Sequence, residues 1–213
     1  IFFEGADFIW EQISTGEVKL ECKNRVFTLP KPALIGPHQI QNAALAAASI
    51  IYSDNFTPLD DRLFSGIGLT KWPGRVQFID EGTLLNYRDA RPIWIDGAHN
   101  SHGAAALAAS LAQITEEKWT LIAGMLTTRK PDDVFMPLKN LISEIFTITI
   151  PGQPASLSAQ ALSDNCQDLG IKATAKSSLS AALSATSESE FVVICGSLYL
   201  AGHALLLNDT LPE

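Results

Sequence analysis

Four short runs in the last two-thirds of the chain constrain its fold more than anything else: "PIWI" (92–95), "WTLIAG" (119–124), "EIFTITI" (144–150) and "FVVICG" (191–196). Each is rich in apolar and β-branched residues and too short for an ordinary helix. Each also gives way, after a turn-forming residue, to a segment of helical period. Runs of this kind belong to strands buried on both faces, and hence to a largely parallel sheet with helices on either side. The segments between them predict helices over 101–114, after Pro131, from about Ser156, from about Ser178 and from Ser197, with a short strand near Ile171. The expected fold class is therefore α/β, a Rossmann-like open sheet with helices on both faces. Ahead of the first run, "RVQFIDEGTLLNYRDARPIWI" reads as strands turning near Glu81 and Gly82 and again near Asp89 and Ala90, so 82–90 predicts an extra hairpin.

The earlier part has a different texture. Residues 1–31 alternate apolar and polar positions, with breaks at Gly5 and Gly16, and "EVKLECKNRVFTL" predicts two short strands turning near Asn24. "GPHQIQNAALAAASIIY" follows, where Ile40, Ala44, Ala47 and Ile51 recur at helical spacing behind a Gly-Pro start. A second helix is expected from Pro58 to about Leu69, with Leu59, Leu63 and Ile67 as its stripe. Pro73 and Gly74 in "TKWPGR" interrupt the pattern, which divides the chain into 1–71 and 72–213. The chain starts at Ile1 within a segment that already reads as strand, and so reads as the later part of a longer protein.

Composition narrows the partners. A hydrophobic content of 46% in 213 residues supports a real core. The net charge of -8, with no clustered basic face, argues against a nucleic-acid backbone or an anionic membrane surface. Cys22, Cys166 and Cys195 form no CxxC pair, so buried free thiols are expected rather than a disulfide framework or a thiolate zinc site. With no bilayer-length apolar run and no signal-peptide pattern, a cytoplasmic protein is the expectation.

The polar cluster where "PIWI" stops carries the chemistry. Asp96 ends the strand, Gly97 lets the backbone turn closely, and Asn100 or Ser101 caps a helix whose free N–H groups attract anions. In open α/β sheets ligands gather at the carboxyl ends of strands. Such a place suits a nucleotide: Asp96 for ribose hydroxyls, His99 for phosphate oxygens or an acyl phosphate. A capped strand-to-helix turn explains the same residues without any ligand. Asp96, His99 and His102 have ligand chemistry for a metal, but no further acid or Cys stands at a telling spacing, and no metal site is predicted. Gly66 and Gly68 in "SGIGLTKW" lack the third glycine and the preceding strand of a dinucleotide loop. No GxxxxGK[ST] stretch is present.

Three stretches in order, "GPHQIQNAALAAASI" (36–50), "WPGRVQFI" (72–79) and "IDGAHNSHGAAAL" (95–107), resemble the motifs of the folylpolyglutamate synthase and dihydrofolate synthase family, relatives of the Mur ligases. "GSLYLAG" (196–202) is similar to the family's closing strand-to-helix turn. The HQxxNA wording is closer to the folate branch than to the Mur branch. The resemblance implies that 1–71 is the end of a P-loop-type ATPase domain and 72–213 the complete C-terminal α/β domain. The family's P-loop, magnesium ligands and carbamylated lysine would lie before Ile1.

What the resemblance implies for single residues is specific. Asn42 would sit against adenine, Arg75 would reach the phosphates, Asp96 would hold ribose, and His99 would lie beside the transferred phosphate as the catalytic residue. Each has a plain alternative: a buried amide, a solvated linker charge or a turn cap. His38 could face a ligand or be structural, and the lone lysines Lys71 and Lys130 are left unassigned. The implied reaction is ATP-dependent, with Mg2+, and adds L-glutamate to dihydropteroate or a folate through an acyl phosphate. The partners would be small molecules only, and the protein a monomer. A Mur-type ligase acting on a nucleotide-sugar peptide and a non-catalytic α/β nucleotide-binding domain are the rival readings, and the 213-residue chain alone is expected to show no turnover.

Overall fold

Alternation governs the first strands. In the computed structural model, which describes residues 1–53, 61–186 and 189–210, the chain divides into two units, Ile1–Trp72 and Pro73–Glu213. In the first unit, β1 (Phe8–Gln12), β2 (Val18–Cys22) and β3 (Arg25–Leu29) form an antiparallel sheet in chain order. Val18, Leu20 and Cys22 are buried while Lys19 and Glu21 between them are less so, the period-two pattern of a strand with one covered face. Lys23 and Asn24, both at positive φ, make the two-residue hairpin turn whose twist suits the strands, with Asn a favoured residue there.

Helix α1 (Pro37–Tyr52) starts at Gly36–Pro37, with proline where its missing N–H costs nothing. Its Ala44, Ala47, Ala48 and Ile51 join Leu20, Phe27, Leu29 and Phe64 in one core, small side chains letting the helix lie close to the sheet. The helix expected from Pro58 is corrected in its described part: Asp61–Leu69 is a 3-10 helix. Gly66 and Gly68 weaken α-helix there, and Phe64 is the residue that enters the core. Pro58, Leu59 and the side chain of Leu63 lie outside the described residues.

The second unit is the expected α/β sheet. Its six strands run β4 (Gln77–Ile79), β5 (Ile93–Ile95), β9 (Val192–Cys195), β6 (Trp119–Ala123), β7 (Ile142–Thr147) and β8 (Ala173–Ala175) in spatial order. Only the edge strand β4 is antiparallel to its neighbour. Every residue of β5, β6 and β9 is buried, as their continuous apolar runs require. Helices α2 (Ser101–Ile114), α3 (Pro131–Phe135) and α4 (Ala159–Asp168) pack together as one layer, α4 against β7 and β8. On the other face, α5 (Leu179–Ser184) and α6 (Leu198–Leu207) share a core with Ile95, Ile122, Val192 and Ile194.

The hairpin expected over 82–90 is absent: Thr83–Arg88 is a 3-10 helix linking β4 to β5. Adjacent residues of a strand point to opposite faces, yet Leu84 and Leu85 both enter the core shared with α5 and α6. A helical turn satisfies both, and Arg88 one turn on is fully buried with them. Asp89 and Ala90, both left-handed, then return the chain to β5.

Candidate functional site

The parallel ladder brings the ends of β5, β9 and β6 to one edge. The Asp96 N–H donates to the Ile194 carbonyl (2.9 Å), the last rung before the chain turns. Asp96 itself is 5% exposed. Its Oδ1 accepts the N–H of Ala98 (2.7 Å) and its Oδ2 the N–H of Val76 (2.9 Å), which comes from the loop before β4. The Gly97 N–H donates to the Gly74 carbonyl (2.8 Å), and the Gly74 N–H to Gln77 Oε1 (3.0 Å). The loop carrying Arg75 is thus stitched to the turn that follows β5. At Gly97 a Cβ would come within 2.4 Å of Leu198 Cδ2, the end of an exposed side chain that would have to swing aside.

His99 is half-buried beside this turn. Its Nδ1 lies 2.8 Å from the Gly97 carbonyl, and a carbonyl only accepts, so Nδ1 carries the proton and Nε2 is left for another partner. Asn100 caps α2, its Oδ1 accepting the Gly103 N–H (2.8 Å). The parallel neighbour repeats the device: after β9, Gly196 at φ 100° donates its N–H to Ala98 O (2.9 Å), and Ser197 Oγ accepts the Tyr199 N–H (3.1 Å) to cap α6. Two helix N-termini therefore stand at adjacent strand ends, a backbone arrangement that favours anions.

Electrostatics sharpen the picture. Burial pushes the Asp96 carboxyl up, against the pull of its two N–H bonds and of nearby Arg75 and His99. Arg75 is exposed, its guanidinium open to solvent. Arg75, Asp96 and His99 are thus brought together at one strand edge. Asn42 lies in the first unit, exposed on α1, where its Nδ2 donates to Gln39 Oε1 (3.1 Å) while Gln39 Nε2 donates to His38 Nε2 (2.9 Å). Lys71, Lys130 and His102 are exposed, and among the described residues no group of His, Cys, Asp and Glu is assembled to hold a metal.

Three further participants have no site role in the sequence reading: Gln39 enters it only within the HQxxNA motif, Ser197 only as a helix start, and Val76 only within "WPGRVQFI". Gln39, 7% exposed, links His38 to Asn42; the i, i+3 spacing of Gln39 and Asn42 on one helix face was the available signal. Ser197, buried at 3% exposure, is announced by "ICGS", an apolar run, a glycine and a cap. Val76, at φ 46°, has no signal at all, since β-branched residues avoid that region.

A family model for the dihydrofolate synthetase C-terminal domain matches residues 84–207. The folylpolyglutamate synthase of Lacticaseibacillus casei is 29% identical over 195 residues, 90% of this chain and 42% of that protein. The solved structure of Mycobacterium tuberculosis folylpolyglutamate synthase complexed with ADP and AMPPCP shares the fold, with a TM-score of 0.81 at 24% identity over 99% of this chain and 50% of that one. A bifunctional folylpolyglutamate synthase/dihydrofolate synthase with Mn, AMPPNP and L-glutamate bound gives 0.78 at 25% identity, covering 96% of this chain and 47% of the other. The chain spans half or less of the length of these relatives.

Proposed function

From a chain that belongs to the dihydrofolate synthetase C-terminal domain family, we propose that the whole protein is an ATP-dependent ligase of L-glutamate, acting on the carboxylate of dihydropteroate or of a folate. The observation that carries this reading is the overlap of the family match with the strand edge at which the α2 and α6 N-termini, Asp96 and His99 converge, an arrangement that favours an anionic ligand. Residues 1–71 would be the end of the ATPase domain and 72–213 the C-terminal domain.

In this reading ATP phosphorylates the acceptor carboxylate, and the amine of glutamate attacks the acyl phosphate, expelling phosphate and leaving an amide. Negative charge grows on the phosphoryl and tetrahedral oxygens, so fixed donors aimed at those atoms lower the barrier. Arg75 supplies a planar guanidinium for bidentate phosphate contact. In this reading His99 lies beside the transferred phosphate, and with its ring oriented through Nδ1 its Nε2 is an acceptor for the incoming amine's proton. Asp96 retains lone pairs on both oxygens for ribose hydroxyls, and Asn42 offers donors and an acceptor to adenine. The divalent cation, Mg2+ in this reading, would be held outside this chain and would neutralise phosphate charge.

The test is incorporation of labelled L-glutamate by the whole protein with ATP and either dihydropteroate or a reduced folate. Amide product with stoichiometric ADP and phosphate is expected. No ATP-dependent incorporation into either acceptor would overturn the reading.

A further inference from the structure

Val76 occupies backbone space that valine avoids. At φ 46° its β-branched side chain crowds its own backbone, and such a residue persists only where the surroundings over-determine it. The surroundings here are specific. Gly74, also left-handed at φ 68°, is held at its carbonyl by Gly97 N–H and at its N–H by Gln77 Oε1. The Val76 side chain is 4% exposed, and its N–H is taken by Asp96 Oδ2. Arg75, between these two left-handed residues, is exposed.

We propose that Asp96 is a positioning residue for Arg75: by holding the Val76 N–H it locks the left-handed turn that sets the direction in which the guanidinium leaves the sheet edge. The proposal rests on the nucleotide reading above and adds a second task to the carboxylate assigned to ribose.

The donor count supports it. A turn cap needs only the Oδ1 bond to Ala98 N–H within its own loop, whereas Asp96 also spends Oδ2 on a loop 20 residues earlier. Two backbone N–H groups aimed at two oxygens require a carboxylate. Asparagine would meet one of them with an NH2 group, donor against donor. The acid also stays in a place where burial raises its proton affinity, which an ordinary cap has no need to do.

Inorganic tripolyphosphate, which has no ribose, separates the two tasks. Its binding to the whole protein is measured by calorimetry in wild type, Asp96→Asn, Arg75→Ala and the double variant. Asp96→Asn should weaken binding roughly tenfold, the scale of one charged hydrogen bond, and should add nothing once Arg75 is gone. Unchanged tripolyphosphate affinity in Asp96→Asn, or equal losses in both backgrounds, would overturn the proposal. Should Asp96→Asn not fold, hydrogen exchange on wild type decides: the Val76 amide should be strongly protected, and exchange at the rate of an open loop would refute the latch. Calorimetry needs no turnover, so a protein that shows this coupling but ligates nothing sinks the ligase reading alone.

Discussion

Asp96 concentrates the physics of this molecule in one side chain. Burial lifts its carboxyl above the ordinary 3.8, so between that value and the folded one the native protein holds a proton that the unfolded chain has released. Stability from this group is then fully present below the unfolded value and lost as pH rises through the folded one. The unfolding free energy of wild type, relative to Asp96→Asn, should therefore improve on acidification across that window. Denaturant titrations at a series of pH values would read it, and a difference flat in pH would reassign the shift. For the neighbouring Arg75, the proposed contact tightens as phosphoryl charge develops. Arg75→Ala in the whole protein should accordingly lower kcat by about 100-fold with a smaller change in KM for the folate, and an unchanged kcat at saturating ATP would remove Arg75 from the reaction. The presence of Asp96, His99 and Arg75 could be read from "IDGAHN" and "PGR". The bond from Asp96 to Val76 could not, because a hydrogen bond across 20 residues leaves no local pattern.

Among the elements, the 3-10 helix Thr83–Arg88 departs furthest from its strand-like sequence. Arg88 explains part of its place: the guanidinium donates to the carbonyls of Thr186 (3.2 Å), Ser189 and Glu190 (3.3 Å), tying the end of α5 to this segment. Burial, with Arg91 nearby, brings its pKa down to about 10, which leaves it charged at neutral pH. Arg88→Met keeps much of the volume but strands three acceptors, and should cost about 3 kcal/mol of unfolding free energy. Chemical denaturation would measure it; a loss below the error of the method would mean that water replaces the guanidinium. Asn208 holds the other end, its Oδ1 accepting Leu84 N–H (3.0 Å) and its Nδ2 donating to Glu81 O (2.9 Å). Helix starts were far more legible, since Asn100, Ser158, Ser178 and Ser197 each cap the helix that follows with a side-chain oxygen.

Across the whole molecule, both units bury their cysteines. Cys22, Cys166 and Cys195 are each at most 2% exposed. Burial raises all three thiols, Cys166 to about 12, and the charges of Asp96 and Cys166 add to the effect at Cys195. Thiolate is the reactive form, so native protein should resist an aromatic disulfide reagent, whereas denatured protein should titrate all three thiols. Rapid modification of any one without unfolding would show a local opening. No described helix is long and apolar enough to cross a membrane.

Local patterning by itself determined the α/β class, the order of the strands and α-helices from β5 onward, the β2–β3 turn and the residues gathered at the end of β5. Each depends on short-range rules: apolar period, turn chemistry and capping. Tertiary structure alone decided three things: the left-handed Val76 under Asp96, the helical course of 83–88 and the pairing of the α2 and α6 N-termini. Those depend on what a segment meets from far along the chain. A buried carboxylate seeks whichever N–H the fold supplies, two adjacent leucines follow the core that receives them, and helix ends become neighbours only because β5 and β9 pair in parallel.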